Sequence, residues 1–371
     1  MKKICFPFVG DKVGGSHIIA IDIIKSLKEK KNKTIIVLHK KGKLFKYLKK
    51  NKISCLLFPI KSFEISKKNF FFNFFTILKI FFKIIFFIKK NKIDVVHTNS
   101  TETHLLWLFP TKFLKCKIFW HLHTRFPSWP LFNIFSKKVD KIIAISNYVL
   151  ESIPSNLRKK TFLINNAIRT NNLLFNKEKN SLKLKKKLGV NKKTKIVLFL
   201  ANFHKRKQPF IFIKVAKKIL NFYKKKVLFL MVGDDRDISR EILIKEIKKL
   251  NLHNHFCLYK FQNDSDIIIS GSDVLLATSV KEPFGLTLIE AMNRSTPVIA
   301  SESGGHKEII INNYNGVLVD KNNIDMFARK TVEILDKIKF RNSIVKNARI
   351  YIKKNNNFNL YLKKLLRLYN H

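Results

Sequence analysis

Glu282 and Glu290 stand eight residues apart in the stretch Glu282-Pro283-Phe284-Gly285-Leu286-Thr287-Leu288-Ile289-Glu290-Ala291-Met292, with Gly285 between them. Where a loop enters a helix at such a glycine, the first-turn N–H groups have no intrahelical partner and suit a phosphate. The flanking carboxylates can accept hydrogen bonds from hydroxyls of a sugar or ribose. The combination fits a nucleotide sugar better than other ligands. The background sharpens the signal: 25 of 371 residues are acidic and 11 are glycine, yet residues 264–308 hold seven of those acids and four of those glycines.

Such residues need elements to hold them. Short apolar runs alternate with longer helical patterns along the chain, which predicts βαβ units and parallel sheets. Strands are expected at Ile4–Val9, Thr34–Leu38, Ile93–His97, Lys117–His121, Lys141–Ile145 and Thr161–Asn165. Gly14-Gly15 opens a helix around His17–Lys28, and Ser146 sits where the cap of a short helix to Ser152 belongs. After a polar, lysine-rich stretch the pattern restarts, with strands at Lys195–Leu200, Val227–Val232, Phe256–Tyr259, Val274–Ala277, Pro297–Ala300 and Gly316–Val319, and helices at Pro209–Phe222 and Ile238–Leu250. A last helix is expected at Asn357–Tyr369. This is an α/β chain of two doubly wound halves, whose ligands bind at the carboxyl ends of the strands. The expected division is residues 1–170, a connection at 171–194, residues 195–345, and a return of 346–371 to the first domain.

Composition bounds the partners. The 74 Lys and Arg against 25 Asp and Glu leave +49, which raises nucleic-acid binding. The excess is mostly lysine scattered through every segment, the mark of a global bias and not of a shaped patch, so no specific nucleic acid is expected. A surface so basic favours anionic membranes. The four cysteines lie far apart with no CxxC pair, which sets a reducing cytoplasm as the default. The apolar run after Met1-Lys2-Lys3 is broken by Asp11 and Lys12, so it reads as a strand, not a secretory signal. Phe70–Ile88 is nearly all Phe, Ile and Leu, with Asn73, Thr76, Lys79 and Lys83 along one helical face. Two mid-span lysines argue against a transmembrane helix. A core helix covering the first sheet and an interfacial contact flanked by Lys67, Lys68, Lys89 and Lys90 both stay open.

Across most of its length the chain resembles the family 4 retaining glycosyltransferases (glycosyl transferases group 1) of GT-B architecture. The resemblance rests on Glu282, Phe284-Gly285, Glu290-Ala291-Met292, Pro297-Val298 and Gly304-Gly305 in order, with weaker echoes at Gly14-Gly15, Ser146, Asn165-Asn166-Ala167-Ile168 and Leu200–Gln208. It implies two Rossmann-like domains facing a central cleft, a nucleotide diphosphate sugar as donor, and a glycan or lipid-linked acceptor. Glu282 would contact donor-sugar hydroxyls and Glu290 the ribose, and backbone at Phe284, Gly285, Leu286 and Thr287 would hold the diphosphate. Lys207 matches the family's donor-phosphate lysine. The family's usual arginine, five residues earlier, is Asn202 here, so either Lys205 or Arg206 supplies its charge or the leaving group is stabilised less and activity is lower. Gly14 and Gly15 would let a phosphate or acceptor approach the backbone. His123 is favoured over His121 as the histidine that faces the donor sugar, being nearer the exit of its strand.

The metal-like spacings are discounted. Asp264-Ser265-Asp266 precedes a helical pattern that it can cap, and Asp234-Asp235-Arg236-Asp237 carries its own arginine. No metal or other cofactor is expected. The reading is a retaining glycosyltransferase of the cytoplasm, peripheral on the inner face of the membrane, serving cell-surface polysaccharide, lipopolysaccharide or glycolipid synthesis. A sugar-nucleotide epimerase or hydrolase on the same fold, and a basic nucleic-acid-binding protein, are the alternatives.

Overall fold

The computed structural model describes residues 2–30, 32–60, 70–169, 176–260 and 265–370. They form two compact units, one of Met1–Asn166 with Leu360–His371, the other of Ala167–Asn359. The first unit holds β1 (Lys3–Phe8), β2 (Lys33–Leu38), β3 (Leu56–Leu57), β4 (Val95–Thr98), β5 (Lys117–Leu122), β6 (Lys141–Ala144) and β7 (Thr161–Leu163) in the order β3-β2-β1-β4-β5-β6-β7. The second holds β8 (Lys195–Leu200), β9 (Val227–Val232), β10 (Phe256–Tyr259), β11 (Val274–Ala277), β12 (Val298–Ser301) and β13 (Val317–Val319) in the order β10-β9-β8-β11-β12-β13. All neighbours pair parallel. Both sheets therefore reverse their winding once, between β1 and β4 and between β8 and β11, and a crevice for ligands opens at such a switch point.

The strands are near-continuous Val, Ile, Leu and Phe because helices cover both faces of a parallel sheet. Trp107, Trp120, Phe6, Phe119 and Phe132 are fully buried in the first unit, and Phe199, Phe203, Phe212, Phe229 and Phe327 in the second. Phe212 sits on the helix Pro209–Phe222, where Pro209 pre-sets the first turn, and its ring meets Phe199 at 5.3 Å.

The unit boundaries differ from those expected. The helix Lys177–Lys187, in the presumed connection, belongs to the second unit: Asn180 Nδ2 donates to Ser270 Oγ at 2.8 Å, and a Cβ on Gly271 would meet Leu184 Cβ at 2.8 Å. The helix Ile338–Asn355 also stays there, packed on the helix Leu286–Asn293. The return to the first unit starts at Leu360 and not at 346. Elements beyond those expected include the two-residue β3 and the helices Lys43–Lys50, Thr101–Phe113, Pro130–Ser136, Ile324–Asp336 and Ile338–Asn355.

The apolar segment forms the helix Phe70–Lys90. Ile80, Ile84, Ile85, Phe87 and Ile88 are buried, and the helix packs on the helix Thr101–Phe113, with the Phe87 ring 5.9 Å from that of Trp107. Its outer face carries Phe82 and Phe86 (56% and 66% exposed) beside Lys79, Lys83, Lys89 and Lys90, and Phe113 of the neighbouring helix is 66% exposed. Among the described residues no helix is long and apolar enough to cross a membrane. Lys67, Lys68 and Asp264 lie outside the described residues.

Candidate active site

In the second unit the loops leaving β8 and β11 are tied together. Thr278 Oγ donates to the carbonyls of Lys207 (3.0 Å) and Gln208 (3.1 Å), and Val280 N–H donates to the carbonyl of Arg206 at 2.8 Å. His204 accepts from Arg206 N–H and starts a tight turn over Lys205–Lys207. Through this scaffold Lys207 Nζ and Arg206 Nη1 both reach Glu282 Oε2, each at 2.7 Å. Glu282 is buried. Burial alone would raise its pKa, but the Lys207 ammonium and the Arg206 guanidinium prevail and hold it at about 2.

The backbone of Glu282 is held as firmly as its carboxylate. Gly305 N–H donates to the Glu282 carbonyl at 2.7 Å, and Ser303 Oγ accepts from Lys281 N–H at 2.7 Å. Gly304 lies at φ +53°, and a Cβ there would stand 2.2 Å from the Glu282 carbonyl oxygen. Only glycine meets both conditions. Gly285, at φ +113°, then caps the helix Leu286–Asn293. Leu286 and Thr287, half-exposed in its first turn, present N–H groups that helix geometry leaves without an intrahelical partner. Glu290 is half-buried on the same helix. The Phe284 ring is buried, and a Cβ on Gly305 would strike the Phe284 backbone at 2.5 Å, so glycine lets the two backbones lie close together.

Of the two candidates for the missing arginine, Arg206 is the one beside Lys207. Lys205 is exposed, and its N–H donates to Asp237 at 3.1 Å. Asn202 plays a different part, since its Oδ1 accepts from Asp234 N–H at 3.0 Å and joins the ends of β8 and β9. Two acids of the metal-like spacings have basic partners: Asp235 lies 3.9 Å from Arg240 Nε and Asp266 accepts from Arg294 Nε at 2.7 Å. Among the described residues no group of His, Cys, Asp or Glu is placed to hold a metal.

One residue escaped sequence reasoning. His306, buried just after Gly304-Gly305, accompanies Glu282, Lys207 and Arg206 closely enough for their charges to act on it. A paired glycine ahead of a histidine was the available signal.

The first unit gathers a different set. Gly14 caps the helix Gly15–Glu29, and its φ of −160° is extended backbone open to any residue; a Cβ there would have room, with His17 Nδ1 3.9 Å away. Neither backbone strain nor crowding within the chain therefore requires glycine at this position. His123 is partly exposed, with Nε2 3.4 Å from Asn99 Oδ1 and its ring 4.2 Å from that of His121. His121 is fully buried, with Nδ1 3.4 Å from His97 Nε2, and His97 Nδ1 lies 2.7 Å from the Tyr369 hydroxyl. Burial drives the pKa values of His97 (to about 3), His121 and His123 down, so all three rings are neutral at pH 7.

A carboxylate held by two cations beside a helix N-terminus, at the switch point of a doubly wound sheet, has the chemistry to receive an anion. Comparison with known proteins gives the family. Residues 13–172 match the model described as Glycosyltransferase Family 4, and residues 180–351 the model described as Glycosyl transferases group 1. Between them these models take in most of the chain, which belongs to the family 4, group 1 glycosyltransferases and has their GT-B fold.

An uncharacterized glycosyltransferase of Methanocaldococcus jannaschii is 30% identical over 170 residues, 45% of this chain and 43% of that protein, so the match spans less than half of that relative. The Escherichia coli UDP-Gal:alpha-D-GlcNAc-diphosphoundecaprenol alpha-1,3-galactosyltransferase is 27% identical over 278 residues, 71% of each chain. Among solved structures, a glycosyltransferase from Rickettsia africae superposes with a TM-score of 0.83 at 25% identity, over 99% of this chain and 97% of that one. The Anabaena HepE complex with UDP and glucose shares the fold, with a TM-score of 0.85 at 18% identity over all of both chains.

Proposed function

We propose that this glycosyltransferase moves a sugar from a nucleotide diphosphate sugar to an acceptor hydroxyl with retention of configuration, in the synthesis of cell-surface polysaccharide, lipopolysaccharide or glycolipid. The observation that carries this reading is the convergence of Lys207 and Arg206 on Glu282 next to the first turn of the helix Leu286–Asn293. The donor diphosphate would lie against Lys207, Arg206 and the N–H groups of Leu286 and Thr287. Negative charge develops on the leaving phosphate in the transition state, and cations already fixed there stabilise it without reorganising. They would do the work that a metal ion does elsewhere, so no metal is required. Glu282 and Glu290 would accept hydrogen bonds from the donor's hydroxyls. No carboxylate is assigned as a covalent nucleophile: the acceptor attacks the front face, and the departing phosphate takes its proton. The UDP bound in the Anabaena structure supports a nucleotide here.

The first unit would carry the acceptor, with Gly14, Asn99 and His123 as candidate contacts. A lipid-linked acceptor is favoured by the name of the Escherichia coli relative. It is also favoured by the face of Phe82, Phe86, Phe109 and Phe113, rimmed by Lys79, Lys83, Lys89 and Lys90, which suits the inner surface of an anionic membrane. The enzyme would then work from the cytoplasm.

The experiment is thermal stabilisation by UDP, GDP, ADP and their sugars at high salt without metal, in wild type and Glu290→Ala. A rise of several degrees for one base, lost in the variant, is expected. Equal stabilisation by all, only at low salt and in both proteins, would leave the net charge as the binder. Retention is read from the anomeric configuration of the first product.

A further inference from the structure

His306 sits at the meeting point of three loops. Its Nδ1 lies 3.0 Å from the Ser301 carbonyl and 3.4 Å from Ser301 Oγ, and Ser301 Oγ in turn donates to the Ser279 carbonyl. A carbonyl oxygen can only accept, so Nδ1 carries the hydrogen and the neutral ring keeps its lone pair on Nε2. The other side of the ring faces Gly285, since a Cβ built there would stand 3.0 Å from His306 Cδ2, the atom bonded to Nε2. The imidazole is therefore fixed at one edge, and the edge that can take a proton is turned toward the residue that caps the helix Leu286–Asn293.

The charges facing it come from two loops: Glu282 from the loop after β11, and Lys207 and Arg206 from the loop after β8. On its own segment Lys307 and Glu302 pair with each other at 3.5 Å. Two cations and one carboxylate leave a local excess of one positive charge. A diphosphate diester brings two negative charges and turns that excess into a deficit of one. A single proton restores neutrality.

We propose that His306 is a proton-linked positioning residue of the donor site: neutral before the donor binds, it is protonated at Nε2 when the diphosphate settles beside Lys207, Arg206 and Gly285, so that each donor bound draws in one proton. The proton comes from solvent onto the Nε2 lone pair and returns to solvent when the diphosphate leaves; no other bond changes. Before binding, burial chiefly holds the His306 pKa down, at about 4, against the pull of Glu282. A phosphate charge roughly 5 Å away raises the proton affinity of such a ring by about a hundredfold, which carries it into the neutral range. The inference rests on the second unit binding a nucleotide diphosphate, as proposed above.

The test is calorimetric binding of UDP-glucose, GDP-mannose and ADP-glucose at pH 6.5, high salt and no metal, in two buffers of widely different ionisation enthalpy. Sugar nucleotides are used because their diphosphate does not titrate near neutrality, whereas a terminal phosphate does. Wild type is expected to take up about a quarter of a proton at this pH and most of one when the titration is repeated at pH 5, with affinity falling by up to about tenfold per pH unit between pH 4 and 6 and levelling off above pH 7. In His306→Asn, whose amide N–H can still serve the Ser301 carbonyl, the uptake should vanish and the affinity should no longer change with pH. Should that variant not fold, nitrogen-15 spectra of histidine-labelled wild type, with and without the nucleotide sugar, report protonation at Nε2 directly. Binding with no proton uptake overturns the inference. So does uptake that survives in His306→Asn and disappears in Glu282→Gln, which would place the proton on the carboxylate. Failure of all three sugar nucleotides to bind wild type instead removes the donor reading itself, and this inference with it.

Discussion

At the carboxyl ends of the first sheet the buried titratable groups are neutral imidazoles; at the same ends of the second a buried carboxylate is held by two half-buried cations, with the neutral His306 beside it. The strand orders are alike, so topology does not make the difference. Among the described residues no carboxylate lies near enough to His97 on β4 or His121 on β5 to hold a proton on them, and burial keeps them uncharged. Glu282 is just as buried, yet Arg206 and Lys207 are delivered to the same oxygen by a turn stitched under Thr278. The lesson is that a doubly wound sheet decides where a site lies and the loop sequence decides its charge. Neutral donors and acceptors suit the hydroxyls of an acceptor, whereas a fixed cation pair suits a departing diphosphate.

The largest effect should come from removing a cation. Lys207→Ala is expected to lower turnover by about 10²–10³, read from release of nucleoside diphosphate. A loss under tenfold would erase the contrast, because the charged loop would then not act on the leaving group. Next is the loop's frame. Gly304→Ala puts a side chain where φ is +53° and the Glu282 carbonyl is 2.2 Å away, and should cost about 2–3 kcal/mol. Faster hydrogen exchange confined to peptides 278–310 is the expected signature, and exchange rising equally in the first sheet would argue against a local role.

Acid sharpens the comparison further. A histidine whose folded pKa lies below its unfolded value of about 6.5 leaves the unfolded chain with more bound protons. Its contribution is whole above that pH and is lost as pH falls toward the folded value, about 3 for His97 and His104 and about 4 for His39. At pH 5 each of these histidines has lost about 2 kcal/mol of its contribution, because the unfolded chain binds the proton that the folded one refuses. The Glu282 contribution, with its pKa at about 2, is lost only below pH 4.5. Among the described residues the second unit carries one histidine with a lowered pKa, His306, against His39, His97, His104, His121 and His123 in the first, so the first unit should loosen first. Trp107, Trp120 and Trp129 all belong to it, and His104 stacks on Trp120 at 4.4 Å, so tryptophan emission follows that unit alone. An emission change that coincides with the circular dichroism change of the whole chain would contradict this order.

The smallest effect expected is at the surface: Phe86→Ser with Phe113→Ser should weaken binding to anionic vesicles about tenfold at moderate salt. Unchanged binding that salt abolishes would assign the attachment to charge alone.

Much of this was legible in the residues. Val227–Val232 and Phe256–Tyr259 are short apolar runs bounded by polar residues, and each is a strand over the expected residues. The pair Leu56–Leu57 is too short to show a period, and both side chains are exposed. The helix Thr101–Phe113 runs through Pro110, which in sequence argues for a break. In the site, Glu282, Glu290 and Lys207 were marked by spacing and resemblance. The pairing of Arg206 with Glu282, and the burial of His306 against Gly285, depend on loops that meet only in three dimensions. The same holds for the unit boundaries, because whether the helix Ile338–Asn355 packs on the helix Leu286–Asn293 cannot be read from its own periodicity.

The hydroxyl of Tyr369 on His97 joins residues far apart in the chain, and the segment that carries it reaches the first unit only after the second has been made. On the ribosome the first sheet must therefore wait, its strands synthesised early but its last helix delivered late. The second unit, contiguous in sequence, can fold meanwhile. A released chain ending just before Leu360 would hold all of the second unit but leave Phe119 and His97 of the first without Tyr369 against them.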